Sequence, residues 1–157
     1  MFSIETITGS HRAFVDKQIV ESWGAPYVAS RGKLHDTRTQ PGFVAMMEGG
    51  IAGYILYDIS NNECEITALE SLHEKQGIGS ALIKAVIRRA KESGCNRTWL
   101  ITTNDNTNAI RFYQRIGFAL KAVHINAMEI SRKLKPQIPL TGCDGIPIAH
   151  EFEFELR

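Results

Sequence analysis

Apolar and polar positions alternate along this chain with two periods, and the period changes several times. From about His11 to Trp23 the spacing is helical, with Phe14, Ile19, Val20 and Trp23 as the expected buried stripe. Gly24, followed by Pro26, stops that helix. A short strand is expected over Tyr27 to Ser30, then a polar loop from Gly32 to Pro41. Phe43 to Met47, Ile51 to Ile59 and Cys64 to Leu69 are rich in β-branched and aromatic residues and read as an antiparallel meander. Its turns are Glu48 to Gly50 and Ser60 to Asn62.

From Gly77 the period returns to helical, with Ile78, Leu82, Ala85, Val86 and Ala90 on one face and Gly94 at the end. Thr98 to Thr102 reads as a strand buried on both faces. A second helix follows Asn106, carrying Ala109, Ile110, Phe112, Tyr113 and Ile116, and Gly117 closes it. Phe118 to Ile125 is another strand, and a short helix near Ala127 to Leu134 halts before Pro136. The tail EFEFELR alternates strictly, which sets Phe152, Phe154 and Leu156 on one face. That face is available to the strand's own sheet or to a second copy in a homodimer. Strands then helices, ending in strand–helix–strand–helix–strand, predict an α/β fold with one mixed sheet flanked by helices.

Length and composition narrow the class without naming it. A chain of 157 residues fits one domain, here 1–157, and 43% hydrophobic with 22% charged residues is ordinary for a globular protein. No apolar run approaches the roughly 20 residues of a membrane span. The N-terminus has no basic segment followed by an apolar one, so the expected compartment is the cytoplasm. A formal net charge of +1 offers no concentrated basic field for nucleic acid. Cys64, Cys95 and Cys143 are far apart and odd in number, which predicts buried or partly buried free thiols. The five histidines form no metal motif, and no metal is expected.

The chemistry concentrates in Leu69 to Leu82. A strand ends, a polar turn follows, Gly77 and Gly79 stand one residue apart, and an amphipathic helix begins at once. Exposed amides of a first helical turn, backed by the helix dipole, make a cradle for a pyrophosphate. A plain turn before a helix is the other reading of two glycines alone. A dinucleotide fingerprint would need a third glycine where Leu82 stands, and no Gly-Lys-Ser/Thr follows for a nucleotide-triphosphate loop.

The segment Asn106 to Phe118, NTNAIRFYQRIGF, changes the odds. With Gly77-Ile78-Gly79 before it, and Asn106, Ala109, Phe112, Tyr113, Gly117 and Phe118 in register, the chain resembles the GNAT superfamily of N-acyltransferases. That family has a Q/R-x-x-G-x-G/A loop after a strand and an N-x-x-A-x-x-F-Y-x-x-x-G-F segment further on. The resemblance implies a central, mostly antiparallel splayed sheet flanked by helices, with acetyl-CoA as cofactor and an amine as acceptor. The acceptor is a small molecule or a peptide amine, with no nucleic acid and no membrane as partner. One departure stands out: the loop's first position, Gln or Arg in the family, is Glu74, in a turn that reads about two residues shorter than the commoner form.

By resemblance, Leu69, Glu70, Ser71 and Leu72 lie along the pantetheine arm, and Lys75, Gln76, Gly77, Ile78, Gly79 and Ser80 hold the pyrophosphate. Residues 64–118 form the acetyl-CoA-binding core. Asn106 reads as a helix cap and, by resemblance, as a cofactor contact, two roles that are compatible. By resemblance Ala109 lines the same site, and Tyr113 is either a core aromatic or, by resemblance, the group that protonates the leaving thiolate. Glu65 is the first candidate to deprotonate the amine. Glu70, off that face by simple alternation, is the second, and a water-mediated route the third. No Cys or Ser sits in a nucleophile setting, which leaves direct attack in a ternary complex. Acceptor specificity falls to residues 1–42, with Trp23, Tyr27, Arg31, His35 and Asp36 as candidates, and to the tail 133–157. The alternative function is a CoA- or acyl-CoA-binding sensor without turnover, which Glu74 would suit.

Overall fold

In the computed structural model, which describes residues 1–157, the changes of period become changes of element. The chain runs β1 (Phe2–Thr6), α1 (Gly9–Trp23), β2 (Tyr27–Ser30), β3 (Lys33–Asp36), a 3-10 turn (Thr37–Thr39), β4 (Gly42–Met47), β5 (Gly50–Ser60) and β6 (Glu63–Ser71). It continues with α2 (Ile78–Glu92), β7 (Arg97–Thr103), α3 (Thr107–Ile116), β8 (Ala119–His124), α4 (Met128–Leu134), a second 3-10 turn (Cys143–Gly145) and β9 (Glu151–Leu156). Two compact units emerge: Met1–Val28 with Asp36–Thr98, and Ala29–His35 with Trp99–Arg157. The expected fold class holds, with mostly antiparallel strands and helices among them.

In the first unit β1, β4, β5 and β6 are neighbours in that order, and each pair is antiparallel. The turn between β5 and β6 is formed by Asn61 and Asn62, both at positive φ (53° and 60°). That is the geometry which matches the twist of a two-residue hairpin. Val15, Ile19, Val44, Tyr54, Leu56 and Ala68 form a core cluster with Ile7, Trp23, Met46 and Ile51 packed against it.

The buried seam of α1 differs from the expected stripe. It is His11, Val15 and Ile19, while Phe14 and Val20 are 40% and 43% exposed and Trp23 is half-buried. Residues at i, i+4 and i+8 stay in one line, whereas Phe14 lies about 100° round the helix from Val15. His11 is tolerated in the seam because its Nδ1 accepts the Thr8 N–H at 3.0 Å, at the helix start. α2 buries Ile78, Leu82, Ile83, Val86 and Ala90. It packs so closely on β5 that a β-carbon at Gly53 would lie 2.9 Å from Ile78 Cγ2.

A bulge in β6 matters for the chemistry. Leu56 pairs with Ala68, but the next residue, Tyr57, pairs with Ile66, leaving Thr67 as the extra residue. Glu65 stands opposite Asp58, and Glu70 opposite Tyr54. Tyr54 and Asp58 are four apart on one strand and therefore share a face. The two glutamates thus point to the same side of the sheet, and the expectation from simple alternation is corrected.

The stretch from Gly32 to Pro41 is not a plain loop. β3 pairs with β2 in a two-stranded sheet, turned by Arg31 and Gly32 at φ 49° and 72°, and a 3-10 turn follows. The polar composition of Lys33–Asp36 hid this strand.

In the second unit β7, β9 and β8 are neighbours in that order, and β8 is antiparallel to β9. β7 alternates: Leu100 and Thr102 are buried, while Trp99 and Ile101 are half-buried, so it is not covered equally on both faces. β9 also departs from expectation. Two of its three glutamates are buried, Glu151 1% and Glu153 7% exposed, while Phe152 and Leu156 are only half-buried. Partners explain it. Glu151 Oε1 accepts the Arg31 backbone N–H at 3.2 Å and Oε2 accepts the Ser131 hydroxyl at 3.3 Å. Glu153 Oε1 lies 2.9 Å from His124 Nε2. All three cysteines are free; Cys64 is buried and Cys95 half-buried, but Cys143 is exposed, against expectation. No helix is long and apolar enough to cross a membrane.

Candidate functional site

The first unit presents the end of β6 and the start of α2. Leu69, Glu70 and Ser71 pair with Ile55, Tyr54 and Gly53, and the Leu72 N–H extends the ladder to Ala52 O at 2.8 Å. The Ser71 hydroxyl donates to His73 O at 2.9 Å and tightens the turn. Residues 73–77 are exposed. Lys75 and Gly77 hold left-handed backbone at φ 61° and 75°, which carries the chain into the helix. Only at Gly77 is the residue type suited to that conformation.

The amides of Ile78, Gly79 and Ser80 find no acceptor in the protein. The first helical bond runs from the Ala81 N–H to Gly77 O at 3.0 Å, and Gly77 offers no side-chain cap. A β-carbon on Gly77 would meet nothing within 4 Å. Three outward amides at the positive end of a 15-residue helix, with open space beside them, suit a phosphate group. Glu74, Lys75 and Gln76 are all exposed, so the carboxylate of Glu74 is not built into the cradle.

The second unit presents α3. Asn106 caps it as expected, its Oδ1 accepting the Ala109 N–H at 3.2 Å, and Ala109 is half-buried. Tyr113 is the one buried residue of the helix. Its ring stands edge-on to Phe112 and Phe118 at 5.4 and 5.9 Å and tilted against Phe154 at 6.4 Å. The hydroxyl has no protein partner, yet the buried unpaired side-chain atoms are Asp16 Oδ1 and Arg132 Nε alone. The hydroxyl therefore reaches the surface from an aromatic cage. Burial pushes this phenol well above its usual range, which keeps it a neutral proton donor.

The acceptor candidates stand in different settings. Trp23 meets Tyr54 edge-on, with ring centroids 6.5 Å apart. Asp36 is gripped by Arg38, whose Nε and Nη2 donate at 2.9 and 2.8 Å, and the guanidinium holds its carboxyl down at about 2. Arg38 in turn lies over the Tyr27 ring, 5.4 Å from its centroid. His35 is buried, with Nε2 3.1 Å from the Ser30 hydroxyl. Arg31 is exposed, and its backbone is committed to Glu151. No group of three or more His, Cys, Asp or Glu side chains gathers to hold a metal ion.

Sequence reasoning missed the surroundings of Glu70. Its Oε1 accepts the Tyr54 hydroxyl at 2.9 Å, and the Ser22 hydroxyl lies 2.9 Å from Oε2 and 3.1 Å from Oε1. Counting back from the Asn61–Asn62 turn would pair Tyr54 with Leu69. Only the bulge at Thr67 moves Glu70 opposite Tyr54.

A strand leading into a glycine-bounded amide cradle, and an Asn-capped helix bearing a caged tyrosine, are features of one class. Residues 11–118 match the acetyltransferase (GNAT) family, and the chain belongs to that family. It is 45% identical over 133 residues to the uncharacterized protein YdhI of Bacillus subtilis strain 168, covering 84% of this chain and 83% of the relative. The same fold occurs in an IAA acetyltransferase from Bacillus cereus ATCC 14579, with TM-score 0.75, 18% identity and 99% of each chain covered. It occurs also in a GNAT family acetyltransferase from Elizabethkingia anophelis with acetyl-CoA bound, with TM-score 0.72 and 18% identity over 99% of this chain and 97% of the other.

Proposed function

We propose that the chain, as a single domain of residues 1–157 acting in the cytoplasm, transfers an acetyl group from acetyl-CoA to a primary amine of a small molecule or protein. The observation that carries this reading is the set of unsatisfied Ile78, Gly79 and Ser80 amides beside open space at Gly77, in a member of the acetyltransferase (GNAT) family. Those amides, with Lys75 and Gln76, would hold the pyrophosphate, while Leu69 to Leu72 would lie along the pantetheine arm. Asn106 and Ala109 are assigned to the same cofactor. Acetyl-CoA supplies an activated thioester. Tyr113, neutral and with a free hydroxyl, would give its proton to the departing thiolate. A β6 carboxylate, Glu65 or Glu70, would take the proton that an ammonium must lose before its nitrogen has a lone pair.

The test is release of free thiol from acetyl-CoA by purified protein against amines, polyamines, amino acids and peptides, with calorimetric titration of acetyl-CoA alongside. Acceptor-dependent release is the expected result. Tight binding with no release for any acceptor would support a CoA sensor instead, and no binding would overturn the reading altogether.

A further inference from the structure

Of the carboxylates in the first unit, Glu70 has the setting of a receptor. It is half-buried, both oxygens are fixed by the hydroxyls of Tyr54 and Ser22, and it forms no ion pair. Both donors are neutral, so neither cancels its charge. Ser22 comes from the last turn of α1, a 15-residue helix with no basic residue in that turn. The negative end of the helix dipole therefore adds to the field of the carboxylate rather than opposing it. Burial and the charge of Glu70 together push the Tyr54 phenol up, so it stays a donor. Trp23, one residue beyond Ser22, stands edge-on to Tyr54, and an indole tolerates a cation nearby. Glu65, in contrast, is only 6% exposed.

We propose that Glu70, oriented by Tyr54 and Ser22, is the seat of the acceptor's ammonium group, and that the acceptor is a primary alkylamine that is cationic in solution. The inference rests on the acetyltransferase reading and deepens it. In the reaction, an N–H bond of the bound ammonium breaks and its proton passes to the Glu70 carboxylate. The freed lone pair forms the new C–N bond to the acetyl carbon as the C–S electron pair leaves on sulfur. Tyr54 and Ser22 are positioning residues: they touch Glu70, not the reacting atoms. The backbone of Glu70 remains with β6, so one residue serves the cofactor strand through its main chain and the acceptor through its side chain.

Two measurements on the CoA-loaded full chain test this. The first is an NMR titration with n-butylammonium, following the Trp23 indole N–H, for the wild type and for Glu70→Gln, with 1-butanol as the neutral counterpart. Saturable shifts with butylammonium but not butanol, lost in Glu70→Gln, are expected. Their absence in the wild type overturns the inference whatever the thiol assay shows, while wild-type binding without thiol release would count against the transferase reading alone. The second is turnover with an alkylamine and with an arylamine, which is already neutral at pH 7 and has no ammonium proton to surrender. Glu70→Gln should lower kcat/KM for the alkylamine by roughly 10²-fold, as loss of a proton acceptor does, and change the arylamine rate far less. Tyr54→Phe and Ser22→Ala should fall in the same selective direction by smaller factors. An equal loss on both amines would mark Glu70 as structural, and a selective loss in Glu65→Gln instead would reassign the role.

Discussion

The start of α2 and the body of α3 solve different problems with different parts of the chain. At α2 the groups offered are main-chain amides, and the side chains of Glu74, Lys75 and Gln76 are exposed around them. At α3 the offering is two side chains, the capping amide of Asn106 and the caged hydroxyl of Tyr113. The lesson is that substitutions should act oppositely in the two places. At α2, residue identity should matter only where it sets backbone conformation; at α3 it should matter atom by atom.

The sharpest way to break this contrast is Tyr113→Phe. It removes one oxygen with no protein partner and leaves the aromatic cage intact, so stability should hold while kcat falls roughly 10²-fold. Thiol-release kinetics and a thermal melt check both halves, and a lowered Tm would mean that the hydroxyl is structural. Gly77→Val is the matching test at α2. A β-carbon there meets no atom, but a left-handed φ of 75° costs an L-residue about 1–2 kcal/mol. Acetyl-CoA affinity measured by calorimetry should drop sharply although no side-chain contact was removed.

Asn106→Ala should cost about 1 kcal/mol through loss of the cap, seen in denaturant unfolding, together with weaker cofactor binding. Lys75→Gly sharpens the comparison from the other side. It relieves the positive φ of 61°, so stability should rise by up to about 1 kcal/mol, and acetyl-CoA affinity should change only a few-fold. A large loss of affinity would show that a side chain, not the backbone, governs this loop.

The smallest effect is expected with pH. Burial pushes the Cys64 thiol up to about 12 from its ordinary 9.0. A raised folded value means that the unfolded chain loses its proton first. The contribution of Cys64 is therefore complete below pH 9 and lost as the pH climbs toward 12. Thermal melts should fall across that window, and less steeply for Cys64→Ala.

Much of the molecule was legible from residues alone. Both helices at the candidate site, their ends, and the β4–β5–β6 meander followed from period and turn chemistry, because glycine and asparagine mark left-handed backbone without tertiary help. The failures have tertiary causes. Nothing local distinguishes the Val15 seam of α1 from the flank bearing Phe14 and Val20, since only the neighbouring sheet decides which line it covers. Alternation in EFEFELR foretold a polar face, but Ser131, His124 and the Arg31 amide cover and satisfy those glutamates. The surroundings of Glu70 were out of reach for a further reason: they depend on one extra residue in a strand whose composition does not announce it.

That extra residue, Thr67, acts as a change of parity. Upstream of it the odd-numbered Glu65 points to the α1 side, and downstream the even-numbered Glu70 does, so the strand obeys two opposite numbering rules. Deleting Thr67 would leave Ala68 opposite Leu56 and Ile66 opposite Tyr57, as they already stand, so Glu65 and Glu70 would keep their side of the sheet. One missing residue would then merge the strand's two numbering rules into one, without moving any side chain across the sheet.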